Sequence, residues 1–200
     1  MGISKELYDK LRESFGMYSS WAVWADAEDG KPKSNIGDMS IFNDPNLLNK
    51  LNDRYIFVGL NAAEHEYEKE SECQPWNAFH SSDNKRQQDY KLRYALMGTN
   101  YWGSYMTDIL KEYKKTNSRD VEKYIKGLDN VFQDDKYIGG FIKELELFET
   151  PPTLIAMGNS VEKILKRYFS NYDIVKIQHY ASWIGKEKYR EKVLNQLKDR

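Results

Sequence analysis

Tyr55-Ile56-Phe57-Val58-Gly59-Leu60-Asn61-Ala62-Ala63 is an almost uncharged run of β-branched and aromatic residues that closes on a glycine and then an amide. The run predicts a buried strand over residues 55–60. Asn61 then stands where that strand leaves the sheet. Ligands of open α/β sheets gather beyond the carboxyl ends of parallel strands, which makes Asn61 a candidate site residue. The same letters also describe a buried strand followed by a turn with no chemistry attached.

Upstream, Asp44 and Pro45 read as the cap and first residue of a helix carrying Leu47, Leu48 and Leu51, which runs directly into the strand. A helix returning into a buried strand is the grammar of α/β proteins. Ile3, Leu7, Leu11 and Phe15 recur four apart and predict an amphipathic helix over residues 3–15. Trp21 and Trp24 follow, as a binding platform or as packing; burial of large aromatics favours packing. Residues 1–54 thus read as a helical and aromatic N-terminal extension lying on the domain.

Two hundred residues, 40% hydrophobic and 30% charged, suit a single folded domain. Thirty basic and thirty-one acidic side chains leave a formal charge of -1, so attraction to a polyanion requires a local basic face. The single cysteine, Cys73, excludes an intrachain disulfide and any four-thiolate zinc or iron–sulfur site. These features, with no long apolar run, predict a cytoplasmic chain with no membrane anchor, no metal and no cofactor.

Downstream of the strand, residues 64–74 are too polar to bury. Pro75-Trp76-Asn77-Ala78-Phe79-His80 then gathers two rings, an amide and an imidazole, as a base-sized pocket or as a loop folded back on the core. Ser82 or Asp83 caps a predicted helix that ends at Gly98. A short second strand lies within residues 103–110 and contains Thr107 and Asp108. Lys111, Lys114, Lys115, Arg119, Lys123 and Lys126 make the densest basic stretch, read first as a solvated face. A helix is predicted over residues 132–148, a buried strand over 153–158, and a helix capped by Asn159 or Ser160. A glycine between strand and helix offers free backbone N–H groups to an anion, although the nucleotide triphosphate loop pattern is absent. The last strand, residues 173–177, leads to His179-Tyr180-Ala181-Ser182-Trp183 and a closing helix over 186–198. In a parallel sheet His179 rises on the same edge as Asn61. The expected architecture is a three-layer α/β/α sandwich around a short, mainly parallel sheet of about four strands.

With these pieces in order, the chain resembles the uracil-DNA glycosylase superfamily from about residue 55 onward. Gly59-Leu60-Asn61-Ala62-Ala63 is similar to the family's first motif, Gly-x-Asn-Pro-Gly, in the form used by the mismatch-specific and single-strand-selective branches. His179-Tyr180-Ala181-Ser182 is similar to the second, His-Pro-Ser. Ala62-Ala63 replaces Pro-Gly, Tyr180 replaces the proline, and Asp108 stands where an amide is expected.

The resemblance implies a monomeric, monofunctional DNA glycosylase that hydrolyses the N-glycosidic bond of a flipped uracil or other deaminated or modified base. Asn61 would position the water and His179 would donate to the leaving base. Phe79, with Trp76 as rival, would stack on that base beside Ala62. Ser160 and Ser182 would hold phosphates, and Tyr180 or Trp183 would wedge into the gap. An ionised Asp108 would favour a base edge that offers a donor; the alternative is a cap facing Lys111. Two other functions fit the same sequence: a catalytically silent nucleic-acid-binding module, or a small-molecule enzyme that binds phosphate at the Ser160 helix start.

Overall fold

The computed structural model describes residues 2–35, 37–61, 74–80, 88–111, 118–127 and 138–198. Among them are seven α-helices: α1 (Lys5–Phe15), α2 (Leu47–Lys50), α3 (Tyr90–Leu96), α4 (Ser118–Lys126), α5 (Ile138–Leu145), α6 (Asn159–Tyr168) and α7 (Lys186–Leu197). Five strands, β1 (Ser19–Trp21), β2 (Asn52–Asn61), β3 (Ser104–Leu110), β4 (Thr153–Met157) and β5 (Ile174–Ile177), form one sheet in the order β1-β3-β2-β4-β5. β3, β2, β4 and β5 are parallel, and β1 runs antiparallel on the β3 edge. The four parallel strands are those expected. The fifth comes from the aromatic stretch around Trp21, so the N-terminal region supplies part of the sheet. Ala62, Ala63, Cys73, Ser82, Asp83, Lys114 and Lys115 lie outside the described residues, as does most of the polar connection.

Strand alternation sorts the core into two layers. Ile56, Val58, Leu154 and Ala156 face α1, α2, α4, α5 and α6, where they meet Leu11, Leu47, Val121, Phe141, Leu145 and Leu165. Phe57, Met106, Ile155, Met157 and Ile177 face α3 and α7, against Leu92, Leu96, Tyr189, Val193 and Leu197. The result is the expected α/β/α sandwich. In chain order the parallel strands run second, first, third, fourth across the sheet. Connections therefore leave β2 toward opposite sides, and the switch point falls between β2 and β4.

Capping is local and conventional at α1, where Ser4 Oγ accepts from Leu7 N at 3.1 Å. At α6 the cap position belongs to Gly158 and not to Asn159 or Ser160. Its φ of 103° is a conformation that side chains disfavour, and its N–H donates to Ile177 O at 3.0 Å. The chain turns out of β4 while still tied to β5.

The layer beneath β3 holds a buried ion pair. Glu144 (0% exposed) on α5 and Lys111 (4%) beyond β3 meet at 2.5 Å. Thr107 Oγ1 lies 3.0 Å from Glu144 Oε1, and the Tyr105 hydroxyl 2.8 Å from it. Lys111 Nζ also donates to Thr107 Oγ1 and to Asp108 O at 2.8 Å, with the rings of Phe15 and Phe141 beside it. Lys111 therefore leaves the basic surface run: it is a core cation. Removing one member strands the other charge in the core, and Lys111→Met is expected to lose about 3–5 kcal/mol in urea unfolding. A loss below about 1 kcal/mol would show that the pair carries no such constraint.

Candidate functional site

Residues on the α3/α7 face converge at the carboxyl edge of the sheet. Phe57, Gly59 and Asn61 alternate onto that face of β2, and Met106 and Asp108 onto the same face of β3. Gly59 pairs with Asp108, and a Cβ at position 59 would come within 2.0 Å of Asp108 Oδ1. The glycine of the first motif is thus required by close approach: the carboxyl group of Asp108 occupies the space beside it.

Val58 pairs with Ala156 and Ala156 with Lys176. Asn61 closes β2 and His179 lies two residues beyond β5, so both stand at the carboxyl edge of the sheet, on strands separated by β4. Between them β4 ends and α6 begins, and His179 Cβ lies 3.6 Å from where a Gly158 side chain would start.

His179 is held from both sides. Gln178, just before it, receives Tyr189 Oη on its carbonyl at 3.0 Å, Lys192 Nζ on its side-chain oxygen at 2.8 Å, and gives its N–H to Gln196 Oε1 at 2.9 Å. All three partners lie on α7. Lys91 of α3 donates to Ser182 O at 2.9 Å and fastens the far end of the loop. Within the loop, Ala181 N donates to His179 Nδ1 at 3.1 Å. That bond fixes the neutral tautomer, with the proton on Nε2. Burial lowers the imidazole below its usual range, so His179 is a neutral donor at physiological pH.

The Tyr180 ring stacks on His179, with centroids 4.5 Å apart and planes at 28°. It packs against the α3/α7 core layer, as do Phe79 and Ile184. Burial, then the charges of Asp108 and Asp89, raise the Tyr180 hydroxyl well above its ordinary value. Tyr180 thus lies partly buried between His179 and that layer. Phe79 is partly exposed and holds a φ of 64°, a conformation disfavoured for an aromatic residue. Its loop aims the ring toward the same layer.

Three expected roles are corrected. Trp76 is a core residue, its indole N–H donating to Tyr8 Oη at 2.8 Å and its ring edge-on to Trp21, and it has no face to offer a base. Ser182 Oγ is buried without a hydrogen-bond partner among the described residues, so it presents no hydroxyl to a phosphate. Asp108 is a mid-strand residue and not a helix cap: Lys111 bonds its backbone oxygen, not its carboxyl group. Ser160 remains half-buried in the first turn of α6, and Trp183 stands outside the fold. His80 is 0% exposed, with Nε2 3.2 Å from Trp21 O, and burial drives it to about 3.

Asp89 and Lys91 were not legible as site residues. Both sit in a run of charged letters, and only the packing of α3 between sheet and α7 buries them. No family model, curated protein or solved structure matches this chain.

Burial raises Asp108 from 3.8 to about 7; Lys111 opposes the shift and Glu144 adds to it. The fold therefore holds a proton that the unfolded chain has lost between roughly pH 4 and 7, and stability falls as pH rises across that window, then levels. Asp108→Asn removes this loss. Urea unfolding at pH 4, 6 and 8 is expected to show the variant gaining on the parent by roughly 2–4 kcal/mol from the lowest pH to the highest. A difference that does not change with pH would contradict a raised Asp108.

Proposed function

We propose that the chain is a DNA glycosylase of the uracil-DNA glycosylase type, hydrolysing the N-glycosidic bond of a flipped uracil or other deaminated or modified base. The observation that carries the reading is the neutral tautomer of His179, its Nδ1 occupied by Ala181 N, at the same carboxyl edge of the sheet as Asn61.

Breaking the C1′–N bond sends its electron pair into the base and leaves positive charge on the sugar. A neutral N–H aimed at a base carbonyl oxygen stabilises the first, and a water placed on the sugar completes the second. His179 serves as the donor and Asn61 as the water-placing amide. An amide does not take up a proton at neutral pH, so catalysis rests on position and electrostatics, with little general-base help. Phe79 supplies the ring for stacking and Tyr180 backs His179. The start of α6, with Ser160, offers backbone N–H groups to a phosphate.

Asp108 supports a choice among bases. Near neutrality its carboxyl group exists in both forms, so it accepts from an amino or N–H edge when ionised and donates to a carbonyl when protonated.

Strand nicking by alkali, on oligonucleotides carrying uracil, hypoxanthine, xanthine or a modified cytosine, tests the proposal. The parent chain is expected to cut at least one of them, and Asn61→Ala and His179→Ala to cut it at least about 100-fold more slowly. Because His179 acts while neutral with a lowered pKa, its protonation is expected to cost no rate on going from pH 8 to 7 in Asp108→Asn, where the pocket carboxyl group no longer titrates. Silence on every base, with salt-sensitive DNA binding retained, would leave a nucleic-acid-binding module in place of the enzyme.

A further inference from the structure

Trp183 is 103% exposed, the tip of the loop that carries His179. A large aromatic held fully in water gains nothing from the fold. Trp21, Trp24 and Trp76, by contrast, are buried.

Beside it lies a line of rings with cations. Lys186 Nζ is 5.6 Å from the Tyr94 ring centroid; the Arg190 guanidinium, 5.4 Å from the same ring, is spent on Tyr94 O, Ala95 O and Met97 O and holds α7 to α3. Lys33 Nζ is 5.0 Å from the Tyr90 ring. The loop bearing Lys33 is pinned to α3 by Arg93, which bonds Ala25 O, Pro32 O and Ser34 O. Tyr90 and Tyr94 are each partly exposed, one helical turn apart on α3, and Lys186 opens α7. The acidic neighbour is Glu187, whose Oε1 is 3.7 Å from Lys186 Nζ. The Lys91 bond to Ser182 O brings the first turn of α3 against the His179 loop, and α7 starts where that loop ends. The surface therefore adjoins the candidate site.

We propose that Trp183, Tyr94 and Tyr90, with Lys186 and Lys33, form a platform for single-stranded DNA, so that the strand flanking the reacting base is held by stacking and phosphate contacts. This deepens the proposed function and rests on its DNA substrate. Rings interleaved with cations match a strand whose bases are unpaired. A duplex keeps its base faces stacked inside and offers such rings nothing. Trp183 thus stacks on a neighbouring unpaired base, in place of wedging between paired ones.

The test uses a single-stranded thymidine oligonucleotide of about twelve nucleotides, which carries no base to excise, beside a duplex of equal length. Tryptophan emission and anisotropy report binding. The single strand is expected to quench emission and to bind at least about 10-fold tighter than the duplex. Trp183→Ala, which removes no buried contact, is expected to abolish the quench and weaken single-strand binding about 10-fold. Lys186→Ala is expected to flatten the log–log salt dependence by about 0.7. Equal or tighter binding of the duplex, or single-strand affinity within about twofold in Trp183→Ala, would overturn the platform. Strand binding without excision of any base would sink the glycosylase and keep the platform; excision with Trp183→Ala unimpaired on single strands would do the reverse.

Discussion

The carboxyl group of Asp108 lies in the space that a side chain at position 59 would fill, and much of the structure follows from that contact. It ties the two central strands at the level where the sheet opens into its crevice. It requires glycine at position 59, since any larger residue must displace a buried carboxyl group. It also removes Asp108 from water, which moves its titration toward neutrality. One close approach thus bears on both the residue that precedes Asn61 by two and the protonation of Asp108.

The two faces of the sheet handle charge differently. Beneath β3, Lys111 and Glu144 neutralise one another and spend their remaining hydrogen bonds on Thr107, Tyr105 and the Asp108 backbone. Such a network holds α5 to the sheet in one arrangement. On the opposite face burial outweighs the pull of Lys111 on the Asp108 carboxyl group, which in turn acts on the Tyr180 hydroxyl. Breaking a paired interior charge destabilises a fold, whereas a carboxyl group held off its usual range at a sheet edge is a feature that the proposed function uses. The His179 loop is fixed with similar care, clamped by α7 through Gln178 and by α3 through Ser182.

The parallel strands were legible because each is a short run rich in β-branched, aromatic or other apolar residues, three of them ended by glycine or an amide, and helices separate them. β1 was not, since three residues with two serines carry no strand pattern; β3 creates the edge on which they pair. Asn61 and His179 were readable from position alone, as polar groups directly after strands. Phe79 and Trp76 were indistinguishable as letters, and the decision between them came from packing that links residue 76 to Tyr8 and Trp21. Lys111 read as one of a basic series because local composition says nothing about a carboxylate thirty-three positions away. Lys91 and Arg93 were not legible as buried residues for a related reason: their partners are backbone oxygens of distant loops, at Ser182 and at Ala25, Pro32 and Ser34.

The central claim is that a base sits between His179 and Asn61. Its most direct test is an NMR titration of protein labelled with ¹⁵N at histidine and asparagine, using oligonucleotides whose uracil, hypoxanthine or xanthine nucleotide carries a 2′-fluorine to slow cleavage. The account predicts that with at least one base the His179 Nε2 and Asn61 side-chain resonances shift together and saturate, with Nδ1 of His179 unprotonated throughout. Binding of every oligonucleotide with both resonances unmoved would contradict it.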